Sequence, residues 1–349
     1  MKIRTLLKTL ILGKGIHFIY QSKVKKKISV KSSILYQSYN RNYKKEYFRK
    51  EHPTYNQLHL NQSDKRSLHQ YVPPKYLSNQ LNILPSSHYD QTYMALRKDS
   101  DKVIFYIHGG TFFNHPSIKE FAYIRKLADA TNASVYMPIY PIGPHYHHSD
   151  TNHFLFDVYT KIYNDISYNN LVVLGHECGA NLALNILQRA KLDGYKPVKE
   201  IILECPLINL DLSDESYQYL DNQDPILDLN TLKKEISYYS YDLQTDNLHI
   251  NPYYRSCDIG SKLTLISPTQ SILYENALSF KAKALEEEVH VDFYPYHNLY
   301  HNFMFDNTKE SEEYLALLKS IIHRDRISVY KLKTSKHTSI TQELKRKDQ

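Results

Sequence analysis

Leu171-Val-Val-Leu174 runs directly into Gly175-His176-Glu177-Cys178-Gly179, and from Ala180 to Lys191 apolar residues recur at helical spacing. A short apolar run of strand-forming residues ending at glycine predicts a buried strand. The periodicity after the second glycine predicts a helix. A sharp strand-to-helix turn must join the two. Small residues on both sides suit such a turn, because strand and helix approach closely there. Its centre is Glu177, carried clear of the sheet at a helix N-terminus. A chain built around this unit is restricted to folds in which strands alternate with covering helices.

The rest of the chain repeats that rhythm. Strands are expected at Tyr93 to Leu96, Lys102 to Ile107, Ser134 to Ile139, Glu200 to Glu204, Lys262 to Ile266 and Val289 to Tyr294. Helices are expected at Ile118 to Thr131, Thr151 to Ile166, Tyr274 to Glu287 and Lys309 to Ile322. The alternation predicts an α/β fold with a mostly parallel central sheet and helices on both faces. From about 207 to 257 the sequence is acidic and rich in Tyr and Asp, with no apolar run of strand length. This stretch reads as an insertion over the strand ends, a cap. Residues 1–80 read as a basic helical extension contributing to the cap, 81–325 as the core, and 326–349 as a polar basic tail.

Charge and cysteine usage narrow the function classes. The chain has 349 residues, 42% of them hydrophobic, enough for one large packed domain or two. The net charge of +7 concentrates at the ends, in Lys23 to Lys27 and Lys345 to Lys347. No zinc-finger spacing or RNA-binding signature accompanies it, so no nucleic-acid partner is expected. The three cysteines, Cys178, Cys205 and Cys257, form no CxxC pair, which argues against a disulfide framework and for a reducing, cytoplasmic setting. Near the N-terminus, Ile3, Leu6, Leu7, Leu10 and Ile11 alternate with Lys2, Arg4 and Lys8. That run is too short and too charged to span a bilayer. An amphipathic helix packed on the protein's own surface is expected. The alternative is weak membrane association through the stretch between Met1 and Lys27.

Ligands of open parallel sheets bind beyond the carboxyl ends of the strands. Three features fall there: His108-Gly109-Gly110, the turn at Glu177, and the segment from Ser267 to Ile272. Backbone N–H groups of Gly109 and Gly110, joined by that of Cys178, are suited to stabilising a developing oxyanion. His145, His147 and His148 cluster in one loop. A solvated polar loop is the expectation there, with metal binding as the alternative, and no metal or cofactor is expected elsewhere.

With these motifs in order, the chain resembles the α/β-hydrolase fold and, within it, the hormone-sensitive-lipase-like esterases. Their HGG loop matches His108-Gly109-Gly110, and their GDSAGGNLA turn matches Gly175-His-Glu-Cys-Gly-Ala-Asn-Leu-Ala183. Cys205-Pro206-Leu207, Asp224-Pro225-Ile226-Leu227 and Asn251-Pro252-Tyr253 match stretches at and around the cap. The departures fall on the catalytic positions. The resemblance maps the nucleophilic serine onto Glu177, the catalytic acid onto Ser271 and the histidine onto His301, in His301-Asn302-Phe303.

A serine nucleophile needs a histidine to take its proton and an acid to orient the imidazole. With serine and acid both replaced, that relay is lost. Asp211 or Asp214 as a relocated acid would not restore it without a nucleophile. Cys178, beside the turn, reads as a buried inert thiol. The leading expectation is a pseudo-hydrolase acting as a ligand- or partner-binding module, the ligand being a small apolar or ester-like molecule. Plant hormone receptors within the same resemblance bind ligand in a disabled esterase pocket. Glu177 is expected to meet His301 in a hydrogen bond or ion pair. One alternative is an active ester hydrolase using Glu177 and His301, with the carboxylate as nucleophile. Another is a peripheral membrane or assembly protein using its basic ends.

Overall fold

The computed structural model describes residues 14–50, 71, 82–85, 92–96 and 98–324. The first thirteen residues of the amphipathic stretch and the basic C-terminal tail lie outside the described residues. Eight strands form one sheet: β1 (Asn82–Pro85), β2 (Thr92–Leu96), β3 (Val103–Ile107), β4 (Ser134–Pro138), β5 (Leu171–His176), β6 (Glu200–Glu204), β7 (Lys262–Gln270) and β8 (Val291–Tyr300). Their spatial order is β1-β2-β4-β3-β5-β6-β7-β8. β1 and β2 run antiparallel at one edge, and β4 to β8 run parallel through β3.

Every residue of β3, β5 and β6 is buried, as expected for parallel strands covered on both faces. Successive side chains enter opposite layers. Phe105 joins Phe154, Leu155, Leu182 and Ile186 on one side. Ile104 and Tyr106 join Ile124, Leu127 and Leu318 on the other. The first layer is built by α3 (His148–Asp165), α4 (Cys178–Leu192) and α7 (Leu273–Glu286); the second by α2 (Ile118–Thr131) and α8 (Lys309–His323). Side-chain caps start α2 and α8: Ser117 accepts from the Glu120 N–H, and Thr308 from that of Ser311. Asn132, in the left-handed region at φ 48°, ends α2.

The insertion holds two helices, α5 (Glu215–Asp221) and α6 (Leu229–Ser240), and no strand among its described residues. Asn181 pins both of its ends, donating to the carbonyls of Ile208 and Ile250 at 3.0 Å each. Ahead of β1, a helical segment (14–25) precedes α1 (Val30–Lys50). α1 lies along β8 and the start of α8: Ser29 and Ser32 bond Glu310, and Tyr39 bonds Asp306. No described helix is long and apolar enough to cross a membrane.

Differences from expectation have local causes. β1 is too short for its pattern to register. β7 and β8 extend to Gln270 and Tyr300, beyond their apolar starts. The extension tolerates Pro268, Thr269 and Pro295 because it runs at the site end of the sheet, where a register shift between Pro268 and Gln270 accommodates them.

Candidate functional site

Backbone geometry fixes Glu177 first. It sits at φ 53°, ψ −117°, a region unfavourable for a residue with a Cβ. Neighbouring backbone bonds hold it there: its N–H donates to the Glu204 carbonyl at 2.9 Å, and its own carbonyl accepts from Ala180 and Leu207 at 3.0 Å each. A Cβ on Gly175 would lie 2.5 Å from the Gly179 carbonyl oxygen, and one on Gly179 would lie 2.1 Å from that of Ile107. Both glycines are therefore required by the close crossing of α4 over the strand ends.

The Glu177 side chain turns into the glycine loop after β3. Gly110 N–H donates to Oε2 at 2.8 Å and Thr111 N–H to Oε1 at 2.9 Å. The donor set differs from the one expected. Gly109 N–H points to Glu120 Oε1 at 3.4 Å, and Thr111 stands in its place. At Cys178 the side chain is what meets the loop, its Sγ accepting from Phe112 N–H at 3.3 Å. Burial, then the charge of Glu177, keeps that thiol protonated, far above its usual range.

His301 approaches from β8. Gln270 and Tyr300 are register partners, so the residues that follow them, Ser271 and His301, emerge side by side. Ser271 Oγ lies 3.4 Å from His301 Nδ1. On the other side, His301 Nε2 is 4.0 Å from Glu177 Oε2. That is too long for a hydrogen bond. Burial, reinforced by nearby His176, holds the imidazole well below its usual pKa and therefore neutral. The expected Glu177–His301 pairing is present only as this 4.0 Å approach and not as a hydrogen bond, because the glutamate arm reaches the two loop N–H donors. Burial pushes the Glu177 carboxyl up, while Gly110, His176 and Thr111 pull it back.

Three acids unassigned from the sequence surround these positions. His176 and Glu204 are register partners on β5 and β6, with Nδ1 and Oε2 3.3 Å apart. His176 Nε2 meets Asn302 Oδ1 at 2.7 Å. Burial opposes the charged imidazole, but Glu204 outweighs it and raises the His176 pKa. Glu120, on α2, accepts from Tyr106 at 2.9 Å. Asp224, from the cap, accepts from the backbone of Ile226, Leu227 and Ile272 and bonds Ser271. Burial lifts its carboxyl to about 6. It is this acid that backs Ser271. Asp211 and Asp214 instead hold local turns at Ser213 and Ser216.

The cap closes over the turn. Phe112 of the loop stacks on Tyr239 of α6 at 3.8 Å between ring centroids, both about 1% exposed. Glu177 is 3% exposed and His301 fully buried. A cleft of about 840 Å³, lined by Lys262, Val289 and Asp292 among others, lies at the opposite end of the parallel strands. In the histidine loop, His147 stacks on Tyr241, and among the described residues no group of three potential metal ligands includes His145, His147 or His148. Among the described residues, the group of three potential ligands is His176, Glu177 and His301, whose ligand atoms lie within 4.8 Å of one another.

Residues 104–305 match the family described as the alpha/beta hydrolase fold. An esterase of Acinetobacter venetianus RAG-1 is 30% identical over 219 residues, which cover 62% of this chain and 72% of that protein. A solved structure of a proposed esterase from Staphylococcus aureus superposes with a TM-score of 0.73 at 21% identity, covering 79% of this chain and 94% of that one. A hormone-sensitive lipase from a metagenome library superposes at 0.67 and 17% identity, covering 84% and 97%. The chain belongs to the α/β-hydrolase family. A sequence relative in that family is an esterase, and a hormone-sensitive lipase is among the structures that share its fold.

Proposed function

We propose that this protein is a catalytically silent member of the esterase branch that serves as a ligand- or partner-binding module. The carrying observation is the seat of the Glu177 carboxylate, bonded to the Gly110 and Thr111 N–H groups. Ester hydrolysis needs such donors free for the oxygen of the tetrahedral intermediate, and losing one costs roughly 10²- to 10³-fold in rate. Here both are held by the two oxygens of the Glu177 carboxyl group, which an ester oxygen would have to displace. The same contacts disfavour Glu177 as a nucleophile: to attack, it must leave the donors its own substrate would need. Ser271 in place of an acid and the closed Phe112–Tyr239 stack point the same way.

The test uses purified full-length protein with short-chain p-nitrophenyl esters and a fluorophosphonate probe. Neither turnover above buffer nor labelling is expected. Turnover that His301→Ala abolishes would overturn the reading.

A further inference from the structure

We propose that His176, Glu177 and His301 bind a divalent transition-metal ion of the zinc class where the esterases keep their nucleophile. The proposal rests on the reading of this site as a binding site and supplies its ligand. Two imidazoles and a carboxylate, with a further position open, form a recurrent donor set for zinc and its neighbours.

Three observations support it. The three ligand atoms already lie within 4.8 Å of one another, all on buried residues. His301 Nε2 is buried without a hydrogen-bond partner and lies 4.0 Å from Glu177 Oε2. Each histidine has a polar group facing Nδ1, where metal-bound imidazoles usually find an outer partner: Glu204 Oε2 sits 3.3 Å from His176, outside hydrogen-bond geometry, and Ser271, itself bonded to Asp224, sits 3.4 Å from His301.

Donors about 2.0–2.1 Å from a tetrahedral ion stand about 3.4 Å apart. Glu177 and His301 must therefore close by roughly 0.6 Å from their 4.0 Å separation. His176 Nε2 must exchange Asn302 Oδ1 for the ion. Glu177 keeps its two N–H bonds, because each carboxylate oxygen has a second lone pair.

The experiment measures metal content by mass spectrometry after expression with added zinc, then titrates chelator-stripped protein with Co²⁺. About one ion per chain is expected, with the intense visible absorption of four-coordinate Co²⁺. Glu177→Ser, which restores the family residue, should lower affinity at least 100-fold while the thermal transition stays cooperative. His301→Ala should do the same. Glu204→Gln should weaken binding about 10- to 100-fold. Replacing His145, His147 and His148 together should leave binding unchanged. Less than a tenth of an ion per chain, persisting after refolding with excess Zn²⁺ or Co²⁺, overturns the proposal. So does stoichiometric binding that survives Glu177→Ser and His301→Ala. Ester turnover by metal-free protein would instead overturn the non-hydrolytic reading, so the two failures are separable.

Discussion

Holding Glu177 at φ 53°, ψ −117° costs on the order of 1–3 kcal/mol, and the surrounding backbone bonds must offset it. The same crossing makes Gly179 intolerant of any side chain. Gly179→Ala would place a Cβ 2.1 Å from the Ile107 carbonyl oxygen, against backbone that cannot give way. We expect a loss of at least about 3 kcal/mol in urea unfolding, or insoluble protein. Residues of this kind were legible in the sequence because turn chemistry is local. Gly175, Glu177 and Gly179 could be placed from a few neighbours each, whereas His301 was placed by the resemblance, through His301-Asn302-Phe303. Glu204, Glu120 and Asp224 could not. They reach the site from different elements, through strand register and the cap, and no short motif announces that meeting.

Two elements close the site from outside. α6 supplies Tyr239, whose ring covers Phe112 above Cys178. Tyr239→Ala should destabilise the protein by roughly 3 kcal/mol. It should also open Cys178, now fully buried, to a thiol reagent such as Ellman's, and an unchanged labelling rate would refute that. α1 is held through Glu310, which accepts from the Ser29 backbone and from the Ser29 and Ser32 hydroxyls. Burial opposes the charged carboxylate, but those donors prevail and depress its pKa below the ordinary value of 4.5. Its stabilising contribution is therefore complete above the unfolded-state value and lost as pH falls through the lower folded one. Proteolysis near Lys31 should be slow at neutral pH and accelerate below about pH 4.5. Glu310→Gln should be cleaved quickly at neutral pH as well. These contacts were not legible, since α1 has little apolar periodicity and is positioned by polar bonds to residues some 280 positions away.

Across the whole molecule, the sheet is tied at the end remote from the site by Arg324. Its guanidinium bonds Glu200 at 2.6 Å, Asp292 at 2.5 Å and the Thr264 hydroxyl at 3.1 Å, joining the end of α8 to the starts of β6, β7 and β8. All three charged side chains are under 10% exposed. Arg324→Ala removes the buried cation that two carboxylates share, leaving Asp292 only His290 and Glu200 only the Thr264 hydroxyl, and should lower stability by about 3 kcal/mol in denaturant unfolding. The overall architecture was legible because alternating strand and helix periods admit few topologies. A residue such as Arg324 was not, because its value depends on three strands arriving together. One further consequence follows from α1. Tyr36 bonds the Gln223 carbonyl one residue before Asp224, and Tyr39 bonds Asp306 beyond His301. The helix therefore ties the cap root to the segment that follows His301. A pull on the chain's beginning would loosen the cap root and the histidine loop together, so force applied at one end would be felt at the buried turn.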